Sequence, residues 1–207
     1  MLLAIDTSAG TSVAVQWSTG SAQALSTSTM AHAEVIGSLI SEAVAASGLS
    51  AAEITGVVAG IGPGPFTGLR VGLAAASAYA VGRSVPLLPV VSHDAIAFDA
   101  LEEVDGPVLV VTDARRKELY WSIYLGFDAH GLPERVAGPA LAKPDDLPSE
   151  WKGTELTRWD AAEVSAELLN LIAHRKLVAG LPFEPFEPLY LRSPDVTMSN
   201  GPKRVVQ

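Results

Sequence analysis

The apolar positions of this chain fall into short continuous runs that alternate with longer stretches of helical spacing. Leu2-Leu3-Ala4-Ile5 is such a run and predicts a buried strand. The polar turn Asp6-Thr7-Ser8-Ala9-Gly10-Thr11-Ser12 then leads into a second strand over 13–17. Over 29–48, Val35, Ile36, Leu39, Ile40, Ala43 and Val44 keep helical spacing, and Gly48 closes the helix. Ser50 and Glu53 form a capping box for one further turn. Val57-Val58-Ala59 predicts a third strand. After a Gly- and Pro-rich loop comes a helix over 67–83 that is apolar or small almost all round. Gly68, Gly72 and Ala76 recur in it every fourth position and leave one flat face that another backbone can approach.

The pattern continues with a short strand over 86–91 and a helix over 93–101 for which Ser92 is the candidate cap. The acidic, Gly-Pro stretch over 102–107 reads as a boundary between two lobes, 1–104 and 105–207. Beyond it, Val108 to Asp113 and then 119–125 repeat the opening arrangement of strand, Asp, polar turn and strand. This is an α/β pattern that occurs once in each half. After Leu125 the chain reads as irregular, with Pro133, Pro139, Pro144 and Pro148 spread across it, and one more amphipathic helix is predicted over 161–173. Phe183, Phe186 and Tyr190 stand among prolines in 182–207, which reads as an extended strap with mobile last residues.

Composition narrows the chemistry. A hydrophobic share of 48% over 207 residues is that of a folded protein with a real core. The net charge of −9 argues against the whole surface lying on nucleic acid, so RNA, if involved, is expected to be held by a partner. With no cysteine, disulfides, thiolate catalysis and cysteine metal sites are excluded. No basic leader precedes the first strand and no apolar run is long enough to span a bilayer, so a cytoplasmic protein is expected.

The loop from Gly60 to Gly72 does not read as a phosphate cradle. It has no Lys, and Pro63 and Pro65 lack the N–H groups that an anion needs. Its glycines read instead as positions of close approach, with Phe66 as an anchor. Asp6 and Asp113 are the two carboxylates expected to converge, at the mouth between the lobes. Asp6 either faces a ligand or hydrogen-bonds its own turn, and the Arg115-Arg116-Lys117 triplet is either a clamp near Asp113 or a solvated hairpin turn. The paired acids Glu102-Glu103 and Asp145-Asp146 read as solvated loops. His32 has Ile36 four residues on, so it cannot form an imidazole pair on one helical face, and it reads as a cap or surface residue.

Gly62-Pro63-Gly64-Pro65-Phe66-Thr67-Gly68-Leu69-Arg70-Val71-Gly72 resembles the signature of the TsaB (YeaZ) family, usually GPGSFTGLRIG, departing from it at Pro65 and Val71. Leu3 to Ser8, Val91-Ser92, Thr112 to Tyr120 and Leu189 to Arg192 are similar to the family as well, while 151–160 looks short beside it. The resemblance implies a two-lobed actin-like ATPase (ASKHA) fold, degenerate, with duplicated βαβ-type lobes and mixed sheets. It implies a non-catalytic subunit that pairs with TsaD, together with the ATPase TsaE, to form threonylcarbamoyladenosine beside the tRNA anticodon. ATP/ADP and metal are then expected on TsaD and TsaE, with none bound by this chain alone and tRNA reached indirectly through the complex. TsaD carries His-x-x-x-His where His32 stands alone here. The docking contacts are expected on the first two helices, at His32, Val35, Ile36, Leu39, Leu69, Gly72, Leu73, Ala76, Tyr79 and Ala80. The same face is expected to form a homodimer when TsaD is absent. Asp6, Ser8 and Asp113 would be a vestigial nucleotide site. The competing expectation is an active ATP-dependent phosphotransferase or metal-dependent hydrolase of the same superfamily, built on Asp6 and Asp113.

Overall fold

In the computed structural model, which describes residues 1–28 and 31–192, the opening apolar runs pair into a five-stranded mixed sheet. β1 (Leu2–Asp6) is flanked by antiparallel β2 (Thr11–Trp17), which turns back into β3 (Gly20–Ser26). On its other side β1 pairs in parallel with β4 (Gly56–Gly60), and β4 with β5 (Leu87–Val90), giving the order β3-β2-β1-β4-β5. β3 has no apolar run to announce it, and of its residues only Ala24 is buried. It forms because β2 offers it a hydrogen-bonding edge.

α1 (His32–Ser47) ends on Gly48 in the left-handed conformation, and the Ser50–Glu53 capping box closes a single 3-10 turn, Ala51–Glu53. With α2 (Phe66–Arg83) it covers one face of this sheet. Leu3, Ile5, Val13, Val15, Val57 and Ala59 point into that layer, while Ala4, Ala14 and Val58 point to the other. Both faces are therefore covered, which is why the strands read as continuous apolar runs.

The other face receives, from much later in the chain, an α-helix over Ala166–Ala179, and α3 (Ser92–Glu103) packs on the outer side of that helix. Phe98, Leu169 and Ile172 share this core with Val110 and Tyr124 of a second sheet. That sheet is built from β6 (Val108–Asp113), β7 (Leu119–Phe127) and β8 (Pro133–Ala142), all antiparallel. After the small hairpin of β9 (Glu150–Trp151) and β10 (Thr154–Glu155), β11 (Thr157–Asp160) pairs in parallel with β6. The order β8-β7-β6-β11 repeats β3-β2-β1-β4, so the duplicated strand, Asp, turn and strand is realised as a duplicated half-sheet.

Three expectations are corrected. The stretch after Leu125 is not irregular: β8 is a ten-residue strand. It lies at the sheet edge, where Pro133 and Pro139 can be accommodated without interrupting a central ladder. The last helix, α4, runs over Ala166–Ala179 rather than 161–173, because Ser165 accepts the N–H of Leu168 as its cap and Gly180 ends it. Ser92 does not cap α3 either. It is the first helical residue, and its hydroxyl is used elsewhere.

α4 ties the halves together, since its Asn170 Nδ2 donates to the carbonyl of Ala14 at 3.1 Å. The strap after it packs back as far as Arg192, with the Leu189 N–H donating to the Ile61 carbonyl at 2.9 Å. The end of the predicted strap, 193–207, and Thr29-Met30 at the predicted start of the first helix lie outside the described residues. Among the described residues no helix is long and apolar enough to cross a membrane.

His93 lies at the junction of α3 with the second sheet, fully buried, its Nδ1 2.8 Å from Ser122 Oγ and its Nε2 2.9 Å from Thr112 Oγ1. Burial, helped by the charge of Arg135, lowers the imidazole to about 3. The unfolded chain therefore takes up a proton below about 6.5 that the native chain resists, and stability contributed by neutral His93 is lost as pH falls from there. Asp6 and Asp94 work the other way, because burial raises both carboxyls and the native state holds their protons more firmly. A comparison with His93→Gln isolates the imidazole. Between pH 7 and about 3.5 the natural chain should lose up to ~4 kcal/mol more than the variant, measured as the pH dependence of urea midpoints. Parallel curves for the two proteins would contradict a neutral buried His93.

Candidate functional site

The turn after β1 and the glycine-rich loop before α2 are fitted against each other atom by atom. Asp6 is 1% exposed. Its Oδ1 accepts the N–H and the hydroxyl of Ser8 at 2.7 and 2.6 Å, and its Oδ2 accepts the hydroxyl of Ser92. Burial, the largest effect, raises the carboxyl above its ordinary value, and the Ser8 and Ser92 hydrogen bonds oppose it. Thr7 Oγ1 donates to the carbonyl of Gly68 at 2.7 Å and accepts the N–H of Gly72 at 3.1 Å. Each contact requires a missing side chain. A Cβ on Gly60 would stand 1.8 Å from Asp6 Oδ2, one on Gly64 2.7 Å from Ser8 Cβ, and one on Gly72 2.2 Å from Thr7 Oγ1. The glycines are thus a cradle for the β1–β2 turn.

Phe66 anchors the far side of the loop as expected. Its ring lies 3.6 Å from the Arg70 guanidinium and 4.8 Å from the Tyr190 ring, and Arg70 Nε donates to the Tyr190 hydroxyl at 3.0 Å. From the second sheet, the Tyr120 hydroxyl donates to the Gly64 carbonyl at 3.2 Å.

Of the three residues expected at a vestigial nucleotide site, two line a common cleft. Ser8 and Asp113 line one cleft of about 260 Å³ with His32, Pro65 and Arg115. The Asp6 carboxylate does not line it, so the expected convergence of the two carboxylates is corrected. Asp113 is exposed, accepts the N–H of Arg115 at 2.8 Å and pairs with its guanidinium at 3.5 Å. His32 is neither cap nor surface residue. It is 8% exposed, with Nδ1 2.7 Å from Thr11 Oγ1, tying α1 to β2. Among the described residues no group of three or more His, Asp or Glu could hold a metal ion.

The residues expected to dock a partner are placed differently from the expectation. Of His32, Val35, Ile36, Leu39, Leu69, Gly72, Leu73, Ala76, Tyr79 and Ala80, all but the half-buried Val35 and Tyr79 are buried inside the chain. The flat face of Gly68, Gly72 and Ala76 is already filled, by Thr7 and His32. These positions hold the helices on their own sheet. What α1 and α2 present outward includes a second set, Ala33, Gly37 and Ser41 on one beside Glu34 and Glu42, and Ala74, Ala78 and Val81 on the other beside Arg70, with Val81 76% exposed. The available signal for this face was that α2 is apolar on every side. Thr7 and Ser92 were the other residues missed. Both look like ordinary turn and cap residues until the loop folds over them.

Gly72 accordingly behaves as a core position. Gly72→Ala should cost about 3 kcal/mol, because the added methyl meets backbone-anchored Thr7 rather than a flexible chain end. Gly72→Arg should prevent folding altogether. Thermal unfolding checks both, and a Gly72→Ala midpoint equal to that of the natural chain would contradict the close fit.

Residues 26–165 match the family model of TsaD, described as tRNA N6-adenosine threonylcarbamoyltransferase. An uncharacterised protein of Mycobacterium leprae is 40% identical over 187 residues, covering 83% of this chain and 48% of that protein, so the chain spans about half that relative's length. The tRNA threonylcarbamoyladenosine biosynthesis protein TsaB of Escherichia coli is 30% identical over 169 residues, covering 77% of this chain and 72% of that one. The crystal structure of a Pseudomonas aeruginosa protein with similarity to YeaZ superposes with a TM-score of 0.79 at 23% identity, over 92% of this chain and 99% of that one, which supports the fold. The signature loop, the duplicated sheets of an actin-like ATPase and these relatives agree, and the chain belongs to the TsaB (YeaZ) family.

Proposed function

We propose that this chain is the non-catalytic subunit of a tRNA threonylcarbamoylation complex, pairing with TsaD through the outer faces of α1 and α2, with TsaE as the ATPase. The observation that carries the reading is the state of Asp6. The acid that could serve phosphate chemistry is saturated by Ser8 and Ser92 and walled in by Gly60, so it braces the fold rather than facing a ligand. Nucleotide and metal then belong to TsaD and TsaE.

The docking face is supported by its composition. Ala74, Ala78 and Val81 make an exposed apolar stripe, and Gly37 and Ser41 beside it allow close approach. Residues 26–165 match the family model of the proposed partner itself, so the two chains can meet as like folds about a pseudo-twofold axis. The same face would pair two copies of this chain when TsaD is absent.

Two substitutions test the interface without touching the core. A Cβ at Gly37 meets nothing within 4 Å, and Val81 is open to solvent. Gly37→Arg and Val81→Asp should keep stability within about 1 kcal/mol and abolish the heteromer with TsaD of the same organism, read by light-scattering mass. Normal pairing by both would remove these helices from the interface. Asp6→Asn should destabilise by about 2 kcal/mol and change no activity. ATP turnover by this chain alone that disappears in Asp6→Asn would restore the phosphotransferase reading.

A further inference from the structure

The turn joining β6 to β7 holds three consecutive non-glycine residues in the left-handed region: Arg115, Arg116 and Lys117, with φ of 66°, 53° and 62°. It is closed by the Ala114 N–H donating to the Glu118 carbonyl and the Glu118 N–H to the Arg115 carbonyl, both at 3.0 Å. Each such residue is disfavoured by about 1 kcal/mol relative to glycine. A turn that glycine or asparagine would form at lower cost carries three cations instead, all exposed.

These cations border two adjoining depressions that share Arg116 and Arg192. One, of about 420 Å³, is lined by Phe66, Tyr120 and Tyr190, and the other, of about 490 Å³, by Lys117 and Lys143. Arg70, stacked on Phe66 and bonded to Tyr190, stands at the rim. Six of the chain's 14 lysines and arginines therefore gather here, on a protein of net charge −9. Among the described residues the acids here are Asp113, paired with Arg115, Glu118, paired with Arg192 at 2.8 Å, and Asp145, against six cations.

We propose that this surface binds RNA directly, with phosphates at Arg116, Lys117 and Lys143 and an unstacked base against the Phe66–Arg70–Tyr190 platform. The aromatic rings favour RNA over an acidic protein segment, because bases stack on ring and guanidinium planes and carboxylates do not. The inference rests on the proposed role in tRNA modification and departs from the expectation that RNA is reached only through a partner. Arg115 and Arg192 hold the turn and strap in place through their ion pairs.

The experiment measures fluorescence anisotropy of an unmodified tRNA transcript titrated with the full chain at several salt concentrations. Arg116→Gly with Lys117→Gly should weaken binding about tenfold at low salt and reduce the salt slope by about 2, while the thermal midpoint rises as the turn relaxes. Tyr190→Ala should weaken binding with the slope unchanged. A raised midpoint with unaltered binding would mean that the turn is only structural and would overturn the proposal. Equal competition by poly-glutamate would overturn it in favour of an acidic protein segment. Light-scattering mass with TsaD, taken on the same variants, separates the two readings: a natural chain that pairs with TsaD but ignores tRNA sinks this inference alone.

Discussion

The contact on which the rest of the molecule depends is the seating of Asp6-Thr7-Ser8 in the Gly60–Gly72 loop. Asp6 reaches Ser92 at the start of α3, Thr7 bonds the first turns of α2, and Ser8 packs where Gly64 has no side chain. One turn thus sets where α2 lies on the first sheet and where α3 leaves it. The Leu189 N–H and the Tyr120 hydroxyl fasten the same loop from the strap and the second sheet. Buried polar groups that are each supplied with partners fix one arrangement, because any alternative strands a donor or a carboxylate in an apolar surround.

Close fit at this turn also explains why Asp6 does not line the cleft: both of its oxygens are engaged by hydroxyl and N–H donors within the chain. Asp113, in the corresponding position of the duplicated half, is exposed, and its turn is cationic. The duplication has therefore kept its geometry while the two turns have moved apart in character: one is sealed by the chain's own atoms, and the other is open and charged.

Much of this was legible in the sequence. Strands buried on both faces announce themselves as apolar runs, and Gly48 and the Ser50–Glu53 pair marked the end of α1 and the single turn after it. β3 and β8 were not legible, since an edge strand with one solvated side needs little apolar pattern and tolerates proline. The reading of the helices failed for a related reason. Large apolar residues at helical spacing, such as Leu39, Leu69 and Leu73, mark the stripe that a helix buries against its own sheet. The small residues of the outer face, such as Ala33, Gly37, Ala74 and Ala78, carry little contrast by which sequence could separate them from the buried stripe. Likewise the recurrence of Gly68, Gly72 and Ala76 signals close approach without saying whose backbone approaches, and here it is the chain's own.

α4 has a consequence for how the chain is made. The face of the first sheet formed by Ala4, Ala14 and Val58 is covered by residues 166–179, and Asn170 supplies a donor to the carbonyl of Ala14. Synthesis runs from the N-terminus, so strands β1 to β5 leave the ribosome long before α4 does. For that interval the first sheet lacks the helix that covers its second apolar face and has an open edge at β3. The nascent first half is therefore a species for chaperones to hold, and the protein matures as a whole once α4 arrives.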